Sequence, residues 1–153
     1  LIKTLGDPSY CNLLWSLNLA FHEAGHLLFS YGGKLLGMMG GTLLEGLMPM
    51  IGAYYFYRRR DFFAIALCFG SLSTALFSIA RYVDDAPTTA KPLVSLSWDS
   101  EPTHDWNYLL YQWGLLQHDH TIAFLFRSLA VGSMLFCLAF GFWLVFRMIL
   151  RRD

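Results

Sequence analysis

The residues Phe21-His22-Glu23-Ala24-Gly25-His26-Leu27-Leu28 sit inside an apolar run from about Leu13 to Tyr31. Two histidines four residues apart on a helix project from one face, so both imidazoles can reach a single ion. In an H-E-x-x-H pattern the glutamate beside the first histidine is the usual general base toward a water activated by zinc. The run is also long enough to cross a bilayer. Together these features predict a metal site held within a membrane.

The composition agrees with a membrane setting. The chain has 153 residues, 56% hydrophobic and 14% charged, with 5 Trp, 8 Tyr and 13 Phe, and its mean hydropathy is +0.43. Soluble domains carry about 25% charged residues. The deficit, with so many aromatic residues to anchor at the interfaces, points to an integral membrane protein. The formal net charge is zero and there is no basic stripe, which argues against a nucleic-acid partner. Cys11, Cys68 and Cys137 are scattered, form no C-x-x-C pair and read as small apolar residues. The chain begins at Leu1 rather than at a methionine, which leaves its N-terminus open, and no signal-peptide cleavage pattern is visible.

The expected fold is all-α: an integral membrane four-helix bundle forming one domain over residues 1–153. Its spans fall at about 13–31, 35–57, 62–80 and 121–146, with an outer segment over 82–120. In the first span Asn18, His22, His26 and Ser30 form a polar stripe that should face protein rather than lipid. Ser16, Ala20 and Ala24 offer a small-residue face for close helix packing, and Gly25 leaves space beside His26 for a partner helix or a substrate backbone. The second span is loosened by Gly37, Gly40, Gly41 and Gly46. Its Pro49 frees the carbonyl of Glu45, which places a carboxylate and an unsatisfied acceptor at one point. In the outer segment Pro87, Pro92 and Pro102 predict irregular chain. From Trp106 to Gln117 the apolar spacing predicts an interfacial helix.

Arg58, Arg59, Arg60, Arg147, Arg151, Arg152 and Lys3 make up seven of the eleven Lys and Arg residues. With four spans they share one side. That side should be cytoplasmic, with both termini on it and the acidic 82–120 segment outside.

A catalytic zinc needs a third protein ligand and an open position. His104, opening Thr103-His104-Asp105-Trp106, is the first candidate, followed by Asp85, Glu45 and Asp105. Asp105 could bind the metal or orient a histidine. His104 could instead cap the helix that follows it. His118-Asp119-His120 reads as a polar loop in which Asp119 or Thr121 caps the last helix, with a metal-binding turn as the alternative. Arg127, inside the last helix, could snorkel outward or pair with the acidic segment.

His22-Glu23-Ala24-Gly25-His26 in a membrane span resembles the site-2-protease class of intramembrane zinc metalloproteases. The resemblance implies His22 and His26 as zinc ligands, Glu23 as the catalytic base and a membrane peptide as substrate. The class usually supplies its third ligand from an Asp-Gly motif on a later span, and this chain has no Asp-Gly dipeptide. The wider order is HEAGH, then Gly40-Gly41 to Met48-Pro49, Asp85-Ala86 and His104-Asp105-Trp106. It is more similar to small bacterial membrane proteins with a zincin-like motif, which implies a bacterial inner membrane but no particular reaction. Two functions are therefore expected in parallel. One is a zinc-dependent peptidase with Glu23 as base. The other is a non-catalytic metal-binding or scaffold subunit of a larger membrane complex.

Overall fold

The computed structural model describes residues 14–89 and 104–150. All regular structure among them is helical: α1 (Trp15–Phe29), α2 (Lys34–Arg58), α3 (Phe62–Asp84), α4 (Asp105–Gln112) and α5 (Asp119–Leu150). Single 3-10 turns cover Ser30–Gly32 and Leu116–His118. Cys11, Pro92, Pro102 and the C-terminal Arg151 and Arg152 lie outside the described residues.

Three segments, Lys34–Arg58, Phe62–Asp84 and Leu116–Leu150, are long and apolar enough to cross a membrane. The 15 residues of α1 span about 22 Å, less than the roughly 30 Å of a hydrocarbon core. The expected boundaries shift in three places. α3 runs to Asp84 rather than residue 80. The interfacial helix stops at Gln112 rather than 117. The last helix starts at Asp119 and continues to Leu150.

Local chemistry accounts for the ends. α2 runs unbroken through Pro49 and closes after Arg58. There Arg60 takes the left-handed conformation at φ 58°, and the Asp61 and Arg60 amides donate to the carbonyls of Phe56 and Tyr57. This is a Schellman closure built on a residue other than glycine. Asp61 then caps α3, its Oδ1 accepting from the Ala64 amide at 3.0 Å. α4 ends the same way at Gly114, φ 67°, where the Leu115 amide donates to the Leu110 carbonyl at 2.8 Å. That closure truncates the helix before the apolar pattern runs out.

The helices pack in succession. α1 lies on α2, α2 on α3, and α3 most extensively on α5, while α4 rests across α2 and α3. Small residues carry the α3–α5 contact: Ala66 lies near Gly141 and Gly70 against Cys137, and Ser133 Oγ donates to the Phe69 carbonyl at 2.8 Å. Close backbone approach of this kind is how helices associate where lipid offers no hydrophobic drive. α5 otherwise presents Phe124, Leu125, Leu129 and Phe142 outward. Arg59 lies over Tyr55 and Arg147 over Trp143. Phe62, at the start of α3, lines a surface pocket with Arg147, so these arginines share one end of the molecule.

α1 and α2 meet through glycine. A Cβ on Gly25 would fall 2.1 Å from the Gly40 carbonyl oxygen, and one on Gly40 would fall 2.5 Å from that of Gly25. The partner that Gly25 admits is therefore the α2 backbone. Ser16, Ala20 and Ala24, expected to pack closely, are exposed instead, because the Gly25 contact turns the opposite face of α1 toward α2. Thermal unfolding in detergent micelles, followed by circular dichroism, should separate two substitutions. Gly25→Ala should destabilise by about 1–3 kcal/mol through overpacking. Gly46→Ala, with open space around the added methyl, should be neutral or stabilising by about 0.5–1 kcal/mol. Equal midpoints for both would contradict the backbone contact.

Candidate metal centre

The polar stripe of α1 turns inward at three of its four positions. Asn18 is buried, and its Nδ2 donates to Thr74 Oγ1 on α3 at 3.4 Å. His22 is buried between α2 and α4. His26 is half-buried one turn on, its ring centroid 4.8 Å from that of His22. Ser30 is exposed and bonds its own Leu27 carbonyl.

Each histidine is held at Nδ1. His22 Nδ1 lies 3.2 Å from Glu45 Oε2, and His26 Nδ1 lies 2.8 Å from the Gly37 carbonyl oxygen. A carbonyl only accepts, so His26 Nδ1 carries a proton. An ionised Glu45 makes the same demand of His22. In the neutral rings both Nε2 atoms therefore present lone pairs, and both point at one carboxylate. Asp105 Oδ2 is 3.2 Å from His22 Nε2 and 3.1 Å from His26 Nε2. Burial pushes the Asp105 carboxyl up; protonated rings donating from Nε2 outweigh that and hold it below its ordinary value, whereas neutral rings offer it no donor. An anion facing two lone pairs at this distance is stable only if a proton or a cation lies between them.

The spacing suits a cation. Ligand atoms 2.0–2.1 Å from a tetrahedral zinc lie about 3.3 Å from each other. α2 also leaves room at this point. An added Cβ on Gly41 would come 2.6 Å from His22 Nε2 and 2.7 Å from His26 Nε2. Glu23 is buried beside them, and ligand atoms of His22, Glu23 and His26 all lie within 4.8 Å of one another. The group lies between Gly41 and Glu45, roughly 10–16 Å along α2 from its start. His22, His26 and Asp105 could hold an ion there, with Glu45 and the Gly37 carbonyl orienting the rings.

The remaining candidates are placed differently. His104 is buried as the N-cap of α4, its Nδ1 accepting from the Asn107 amide at 3.3 Å. Its Nε2 faces Asp85 Oδ2 at 3.5 Å. The ring therefore turns toward Asp85 and away from the two histidines, and the next residue, Asp105, reaches them. Asp85 is occupied by His104 and by Thr88, whose Oγ1 donates to Asp85 Oδ1 at 2.9 Å. Arg127 pairs with Asp84. Tyr82 is a residue that sequence reasoning did not single out. Its ring lies 5.5 Å from His22 and 4.2 Å from His104, centroid to centroid, and its hydroxyl accepts from the Asp105 amide at 3.4 Å. It ties the cap of α4 to the histidine pair, and only the fold brings it there.

α4 is pinned above the site. Trp106 and Leu110 join Ile79, Val83, Ala86 and Ala123 in one buried cluster, and Trp106 Nε1 donates to Thr42 Oγ1 at 3.1 Å. On the far side of that pair lies an apolar groove of about 380 Å³, walled by Leu43 and Leu47 of α2, Leu72 and Leu76 of α3 and Phe126 of α5. No protein-family model, curated protein or solved structure matches the chain.

Elemental analysis of purified variants should sort the donors. Asp105→Asn and Gly41→Ala should lose bound metal, and Glu45→Gln should weaken binding about 10–100-fold by releasing His22. His104→Ala should keep the metal while loosening α4 by about 1 kcal/mol through its lost cap. Metal retained in Asp105→Asn but lost in His104→Ala would reverse the assignment.

Proposed function

We propose that the chain is a membrane-embedded zinc-dependent hydrolase of the peptidase kind, in which His22, His26 and Asp105 hold the ion and Glu23 is the general base. One observation carries the reading: two Nε2 atoms, each with a partner at Nδ1, converge on a single carboxylate oxygen. The helices form a membrane bundle with α4 at its outer surface, and the cytoplasmic side is the one that bears Arg58–Arg60 and Arg147. A bacterial inner membrane suits this arrangement.

A zinc ion at this position would act as a Lewis acid, polarising a carbonyl and lowering the pKa of water. The protein's own groups do the rest. Glu23 accepts a proton from the attacking water and returns it to the leaving amine. Glu45 and the Gly37 carbonyl keep both rings with Nε2 inward, and Tyr82 with the α4 cluster keeps Asp105 in place. The apolar groove beside Thr42 and Trp106 is suited to an apolar segment of a membrane peptide.

The exposed small-residue face of Ser16, Ala20 and Ala24 favours a second reading, a non-catalytic metal-binding or scaffold subunit that docks other membrane subunits. Proteoliposomes containing the chain, zinc and a panel of tagged single-span peptides distinguish the two. Mass spectrometry should find new peptide termini with the wild type and none with Glu23→Gln, which should retain zinc. Cleavage by Glu23→Gln at the wild-type rate would eliminate this mechanism. Loss of zinc in that variant would make Glu23 a fourth ligand and support the closed, non-catalytic site.

A further inference from the structure

A second group of ligand-type side chains lies at the same end of the molecule as α4, where α3 finishes and α5 begins. His120 Nδ1 is 2.6 Å from Asp84 Oδ1 and 3.6 Å from Asp119 Oδ2. One donor atom from each of Asp84, Asp119 and His120 falls within 4.8 Å of the others. Arg127 takes the second oxygen of Asp84, so it balances one of the two carboxylates and leaves one negative charge over.

Asp119 makes this more than an acidic surface patch. Its side chain is only 7% exposed, and its buried Oδ2 accepts no hydrogen bond. Without an ion, His120 Nδ1 carries a proton to Asp84 at 2.6 Å and stays 3.6 Å from Asp119 Oδ2; with one, that proton is displaced. A desolvated carboxylate oxygen aimed into the cluster without a donor is costly unless a cation completes it. The His120 side chain is 83% exposed, so its ring proton can sit on Nε2 in solvent and leave Nδ1 as a ligand.

We propose that Asp84, Asp119 and His120 form a second divalent-cation site, distinct from the histidine pair of α1, that clamps the end of α3 to the start of α5. Two carboxylates and one imidazole suit a borderline first-row ion such as zinc or manganese. The ion enters from solvent past His120, outweighs the one uncompensated negative charge and leaves the Asp84–Arg127 pair in place. The site is independent of the hydrolase reading, because none of its ligands belongs to the central cluster.

The test uses purified full-length chain in detergent micelles, with zinc titrated by calorimetry and content checked by elemental analysis. The background is His22→Ala/His26→Ala, which removes the central pair. That background should still bind one zinc per chain. Adding His120→Ala, a change at an exposed side chain, should weaken that binding at least about tenfold, and adding Asp119→Asn should do the same. No zinc bound by the background at millimolar concentrations would overturn the second site, and a central ion lost only in that background would leave the hydrolase reading intact. Binding unchanged by His120→Ala would also overturn it. A single ion per wild-type chain that His120→Ala removes would uphold the second site and refute the central one.

Discussion

One carboxylate oxygen shared by two imidazole nitrogens is the constraint on which the other features turn. Asp105 stands on a short helix outside the three apolar spans, yet its Oδ2 must reach His22 and His26 on α1. Bringing it there requires a rigid α4. That rigidity comes from the His104 cap, the Gly114 closure and the buried Trp106–Leu110 face against α3 and α5. The hydrogen bonds from Trp106 to Thr42 and from Asn107 Nδ2 to the Ala86 carbonyl fix its rotation. A buried anion that lost this seat would face an apolar interior unpaired, which costs several kcal/mol.

The glycines give the same constraint from the other side. Gly25 and Gly40 let two backbones touch, and that contact brings the Gly37 carbonyl against His26 and places Gly41 beneath both Nε2 atoms. The two residues between Glu23 and His26 are thus unequal. Ala24 looks outward, whereas Gly25 sets the depth of α1 against α2. Packing and ligand orientation are one geometric decision here, because a wider α1–α2 spacing would detach both histidines from their Nδ1 partners at once.

Much of this was legible in the residues. Four-residue spacing of Asn18, His22 and His26 is enough to place them on one face, and polar groups in a largely apolar helix are expected to face protein. Glu45, singled out by its depth and by Pro49, does meet His22. Between His104 and Asp105 the residue types could not decide. Histidine is the commoner zinc ligand, but its Nδ1 is consumed as a helix cap, and the following side chain is rotated by about 100° onto the other face. Tyr82, the Gly40–Gly41 cradle and the pairing of Asp84 with Arg127 and His120 depend on contacts between distant helices. No local pattern encodes them. The exposed Ser16-Ala20-Ala24 face shows the opposite error, since a small-residue stripe signals only that close approach is allowed.

The identity of the positive charge among His22, His26 and Asp105 can be argued from magnitude. With Glu45 ionised, protons alone could satisfy Asp105 from both sides only if both rings were imidazolium, because each Nδ1 would then hold its proton for Glu45 or the Gly37 carbonyl. Two unit charges with ring centroids 4.8 Å apart repel by about 3–4 kcal/mol at an effective dielectric of 20. One of the two would also bond a carbonyl rather than a carboxylate. A single divalent ion delivers the same total charge to the same carboxylate without placing two cations side by side, and it uses both lone pairs. The half-exposed position of His26 lowers the repulsion somewhat without changing its sign. The balance therefore favours a bound cation over a doubly protonated pair, and the missing Cβ of Gly41 lets both nitrogens lie close against α2.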